Sequence, residues 1–110
     1  LLAQAGSICQ DWGMRRQDFI FCIGFEGSTA IIDGRLLRRY GSRSTRELAE
    51  AGFFKQALSS AIFSGNPEEL EEVRTIFNNG VRIPVGSVEE LKRMFSVFGV
   101  PEGVKKVTLV

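Results

Sequence analysis

The chain has 110 residues, 44% hydrophobic and 25% charged, enough to build a core of ordinary globular size without disulfides or a structural metal. Its formal net charge of +1 supplies no global field toward nucleic acid or an anionic membrane, so any electrostatic role has to be local. Histidine is absent, which excludes Ser-His-Asp and Cys-His nucleophile activation and removes the commonest zinc ligand.

No apolar run approaches the roughly 18–20 residues of a membrane helix, so no membrane partner is expected. The chain opens on Leu1 without an initiator methionine, which reads as a processed form or a piece of a longer protein. Leu1, Leu2, Ala5, Ile8, Cys9 and Trp12 recur at helical spacing and predict a short N-terminal amphipathic helix ending at Gly13. Cys9 and Cys22 lie too far apart in sequence for a Cys-x-x-Cys metal or redox pair. They read as buried reduced thiols, and a reducing, cytoplasmic setting follows from that expectation.

Residues 19–40 read as a three-stranded antiparallel meander. Phe19, Phe21, Ile23 and Phe25 alternate and therefore share one face of a strand, which is expected to be buried. Gly27-Ser28 suits a two-residue hairpin turn because glycine accepts positive φ, and Thr29 to Ile32 form the returning strand. Asp33-Gly34 reads as a type I′ turn into a third strand, Arg35 to Tyr40. Both loops taken literally set Phe25 opposite Ala30, Ile23 opposite Ile32, and Ala30 opposite Leu37. Glu26, Thr29 and Arg38 then form a polar row on the other face.

Beyond Tyr40 the period becomes helical. Ser44 and Glu47 form a capping box opening a helix with the stripe Leu48, Ala51, Phe54, Leu58, Ala61 and Ile62. Gly52 weakens its middle by about 1 kcal/mol. Asn66-Pro67-Glu68-Glu69 opens the next helix, with asparagine as cap, proline at the first position and acids against the positive dipole end. A third helix follows a box at Ser87 and Glu90, with Val88, Leu91, Met94, Phe95 and Phe98 as its stripe. Val104 to Val110 has the β-branched character of a closing strand. The expected fold is a single α+β domain over residues 1–110. Its mainly antiparallel sheet, the meander 19–40 plus the strand 104–110, is packed with the N-terminal helix and three helices between 45 and 98.

Neither a Gly-Lys-Ser/Thr phosphate loop nor a Gly-x-Gly-x-x-Gly turn occurs. Gly24-Phe25-Glu26-Gly27 imitates an RNA-binding Gly-x-x-Gly clamp but carries an acid where that clamp faces phosphate. Glu68, Glu69, Glu71 and Glu72 read as a solvated helix face. With no catalytic motif, metal set or cofactor motif in view, the expected role is a non-catalytic interaction or regulatory module that self-associates or docks on another domain. Phe53, Phe54 and Phe63 are its candidate interface, because they do not share one helix face. The alternative is phosphate or nucleic-acid binding through the basic segment 35–46, with Arg38, Arg39, Gly41, Ser42, Arg43 and Arg46 as candidate site residues. Against it, Glu47 competes for the same amides. A contribution to a composite enzyme site is the remaining alternative.

Overall fold

A computed structural model describes residues 14–101 and 103–110, so the helix expected over residues 1–12 lies outside the described residues. The fold is α+β, with a three-stranded mixed sheet and several packed helices. It divides into two compact units. One joins the described residues up to Gly41 with Val100–Val110, and the other is Ser42–Gly99.

The first unit contains α1 (Arg16–Ile20), β1 (Cys22–Glu26), β2 (Thr29–Ile32), α2 (Gly34–Tyr40) and β3 (Lys106–Leu109). Helix α1 ends on Phe19 and Ile20, two residues that alternation assigned to a strand. Arg15 and Asp18, three apart, join at two points, Nε to Oδ2 at 3.0 Å and Nη2 to Oδ1 at 3.1 Å. Asp18 is buried, and this fork neutralises a carboxylate that would be costly to desolvate alone. Phe19, Ile20 and Phe21 are all buried, and three consecutive inward residues do not fit a period of two.

Strands β1 and β2 are antiparallel, with Glu26 opposite Thr29 and Phe25 opposite Ala30, the register that the two-residue loop demands. Gly27 in that loop has φ +62°, where a side chain would be strained. Farther along, Cys22 rather than Ile23 lies opposite Ile32, because the register shifts between Cys22 and Gly24.

The larger correction concerns residues 35–40, which are helical. Asp33 is the N-cap of α2, its carboxylate accepting the Leu36 amide at 3.1 Å, and aspartate serves a cap as well as it serves a turn. Leu36, Leu37 and Tyr40 have the i, i+1, i+4 spacing of a helix face. The place beside β2 is taken by β3, which runs parallel to it with Ala30 opposite Val107 and Ile32 opposite Leu109. The strand order is β1-β2-β3, one antiparallel and one parallel pair, so the sheet is mixed rather than mainly antiparallel. Gly34 allows the close approach at this junction. Its amide donates to the Val110 carbonyl at 3.1 Å, and a Cβ there would stand 3.1 Å from that oxygen and 3.3 Å from Leu109 Cδ2.

The second unit is helical: α3 (Thr45–Glu50), α4 (Phe54–Ser64), α5 (Pro67–Asn79) and α6 (Val88–Phe95). Four helices stand where three were expected, because the chain turns at Gly52 with φ +90° and splits the first. Gly65 ends α4 in the left-handed region, and the Asn66 side chain then accepts the Glu68 amide to open α5. Ser87 caps α6, but the Glu90 carboxylate bonds to the Gly86 amide at 2.7 Å, so the expected reciprocal box is displaced by one residue. Asn78 clamps the intervening loop at two points on Val85, at 3.0 and 2.9 Å. Helix α6 stops at Phe95 with Ser96 at φ +58°, which removes Phe98 from the stripe and leaves it exposed.

Leu48, Leu58, Val73 and Leu91 are fully buried, and Phe77 meets Phe54 and Phe95 edge to face at 5.1 and 5.8 Å. A polar junction ties three of the helices. Buried Thr45 Oγ1 lies 2.7 Å from Ser60 Oγ on α4 and donates to Glu69 Oε1 on α5 at 2.6 Å. Thr45→Val keeps the shape but deprives Ser60 and Glu69 of a partner, so urea unfolding should show a loss of about 1–3 kcal/mol. Unchanged stability would mean that this hydroxyl is no structural link.

Candidate functional site

Among the described residues, strand β1 is an outer strand of the sheet, paired on one side by β2. In its row, Ala30 between Phe25 and Val107 is completely buried, whereas Phe25 itself is 51% exposed. Ile23 is 61% exposed. Edge strands are ordinarily protected by lysine, proline or inward charges. Cys22–Glu26 has none of these; its one charge is Glu26 at the end, and its guard is instead the bulge between Cys22 and Gly24, which bends the strand. Gly24, between the two apolar residues, has open space around its Cβ direction. The Cys22 thiol donates to the Gly24 carbonyl at 3.3 Å. Among the described residues, these form an apolar outer strand of the kind on which a further strand can pair.

Alternation assigned Ile23 and Phe25 to one buried face; both are exposed, and the register shift between Cys22 and Gly24 interrupts the alternation at Ile23. Periodicity reports which side chains point together, not whether the strand lies at an edge. The spacing of Arg15 and Asp18, which favours a helical turn, was the available signal that the strand begins later than Phe19.

The basic segment is distributed over both units. Arg35, Arg38 and Arg39 are exposed on α2, the last two in its final turn, where cations suit the negative end of the helix. The Arg39 guanidinium lies 5.8 Å from the Tyr40 ring centre, and Gly41 forms the C-cap. The unit boundary falls between Gly41 and Ser42, so Ser42, Arg43 and Arg46 belong to the second unit. There Arg43 lies 3.8 Å from Glu47, while Arg46 meets Glu50 at 3.1 Å and Glu72 at 3.5 Å. Ser44 and Glu47 complete their box, with the Ser44 amide donating to Oε1 at 2.9 Å and the Glu47 amide to Ser44 Oγ at 3.1 Å. Two of the amides at this helix start, those of Ser44 and Glu47, are therefore engaged by protein groups.

The candidate aromatics also separate. Phe54 packs on Phe77 within the second unit, Phe53 is half-buried and Phe63 is exposed. In the acidic run of α5, Glu69 holds Thr45, Glu71 holds Arg74 at 2.7 Å and Glu72 holds Arg46. Among the described residues, no group of three or more histidine, cysteine or carboxylate side chains is placed to hold a metal ion. No helix among them is long and apolar enough to cross a membrane. No protein-family model matches the chain, and neither a curated protein nor a solved structure matches it.

Hydrogen bonds from Ser44, the amide first and the hydroxyl-bearing side chain second, hold the Glu47 carboxyl below its usual range, with a smaller contribution from Arg43. Because folding lowers this pKa, the stabilisation is complete above the unfolded carboxylate value and is lost as pH falls through the folded one. Wild type should therefore exceed Glu47→Ala in unfolding free energy at neutral pH, and denaturant curves should show the gap closing below the ordinary carboxylate range. A gap independent of pH contradicts an ionised capping box.

Proposed function

We propose that this chain is an interaction module without catalysis of its own, which self-associates by antiparallel pairing of β1 across a two-fold axis. The observation that carries this reading is the exposure of Ile23 and Phe25 on an edge strand without protective charges. In a pairing centred on Gly24, Ile23 lies opposite Phe25 of the second copy, twice, by symmetry. Cys22 lies opposite Glu26, so no like charges meet. An isologous contact must be complementary to itself, and a strand with apolar residues on both sides of its middle glycine satisfies this.

Each aromatic–aliphatic cross-strand pair contributes about 0.2–1 kcal/mol, with apolar burial and new ladder hydrogen bonds in addition. The strand is short, so the association is modest and dependent on concentration. A reducing, cytoplasmic setting belongs to the same reading, since Cys22 is a free thiol within the pairing strand.

Sedimentation equilibrium from micromolar to millimolar concentration tests this directly. Wild type should shift from monomer toward dimer, whereas Phe25→Lys should remain monomeric with little loss of thermal stability, because its side chain is already half in water. A wild type that is monomeric throughout, or a lysine variant that dimerises equally well, overturns the proposal.

A further inference from the structure

Within the first unit a cavity of about 330 Å³ lies between α1 and β3, away from the pairing strand in the order of the sheet. Val104, Val107 and Leu109 supply its apolar lining, while Arg15, Asp18 and Lys105 supply charge, with Lys106 also contributing to the wall. Both Asp18 oxygens are occupied by Arg15, which uses Nε and Nη2 for them. A guanidinium has five N–H donors, so further donors remain for a ligand after this fork is made. Among the described residues, Lys105 and Lys106 enter no ion pair. Once Arg15 and Asp18 offset each other, the lining keeps an excess of positive charge over an apolar floor.

That combination selects an anion with an apolar body. The size restricts it further, because ligand pockets run from roughly 300 to 1,000 Å³ and this one lies at the small end, too small for a dinucleotide. We propose that the cavity binds a small aliphatic carboxylate, its head held by Arg15 and Lys105 and its chain lying on Val104, Val107 and Leu109. A planar carboxylate matches the guanidinium edge, and a flexible lysine adapts to the remaining oxygen. Arg15 has a second duty in neutralising buried Asp18, so Lys105 is the residue whose change tests binding without disturbing the fold. This site shares no residue with β1, and its failure would leave the self-association reading intact.

The experiment is an amide-resolved NMR titration of the full chain with sodium hexanoate, alongside hexylammonium, which has the same body and the opposite charge, and acetate, which has the head alone. Hexanoate should give saturable shifts confined to the segments around Arg15–Asp18 and Val104–Leu109, acetate weaker ones, and hexylammonium none there. Lys105→Glu should weaken hexanoate binding by at least about tenfold, the scale of one charge-assisted contact. The proposal is overturned by hexylammonium binding as well as hexanoate, by shifts that are absent or lie elsewhere, or by wild-type affinity in Lys105→Glu. The comparison of the three ligands uses the wild-type chain and stands whatever the variant does.

Discussion

The second side of β2 is claimed by the end of the chain, and the first unit is arranged around that pairing. The Val110 amide donates to the Ile32 carbonyl at 2.9 Å, and the Val110 carbonyl accepts from Gly34 at 3.1 Å. The last residue thus interlocks with the exit of β2, at the point where Asp33 caps α2. A side chain at position 34 would crowd this contact, whereas glycine fills it without strain. With β3 in that place, residues 35–40 have no strand partner beside β2 and turn away as a helix. The arginines of that segment consequently lie on a helix surface rather than along a sheet edge.

This competition explains what was legible in the sequence. Helix starts at Ser44, Asn66 and Ser87 are written within four or five residues, and each produces its cap. The hairpin at Gly27-Ser28 is equally local, and its pairs Glu26–Thr29 and Phe25–Ala30 follow from the loop length. The Ile32–Leu109 pairing depends instead on contact across most of the chain, which no local pattern encodes. Asp-Gly was misleading because its chemistry serves a turn and a cap alike. Gly52 was legible as a weak point in a helix, but the positive φ that makes it a break is a property of the fold.

The candidate sites follow the same division. Sequence identified the arginines and the surplus phenylalanines, yet Arg43 and Arg46 face carboxylates and Phe54 serves the second unit's core. Alternation puts Ile23 and Phe25, the exposed residues of interest, on a buried face because it cannot identify an edge. The two outer strands carry different properties. β1 presents apolar side chains with almost no charge, and β3 borders a cavity with a cationic rim. Among the described strands, β2 lies between them, so they share no pairing.

The central claim is that β1 pairs with itself about Gly24, and a cysteine at the symmetry position tests that register. Residues directly opposite in an antiparallel pair have Cα atoms roughly 4.5–5.5 Å apart, inside the roughly 4.4–6.8 Å span of a disulfide. Position 24 has space for the added side chain. With Cys9 and Cys22 replaced by serine, Gly24→Cys should oxidise in air to a covalent dimer that reverts on reduction, much faster than the same background carrying Ser42→Cys. A Gly24→Cys chain that remains a monomeric thiol, or crosslinks no faster than that control, contradicts the account.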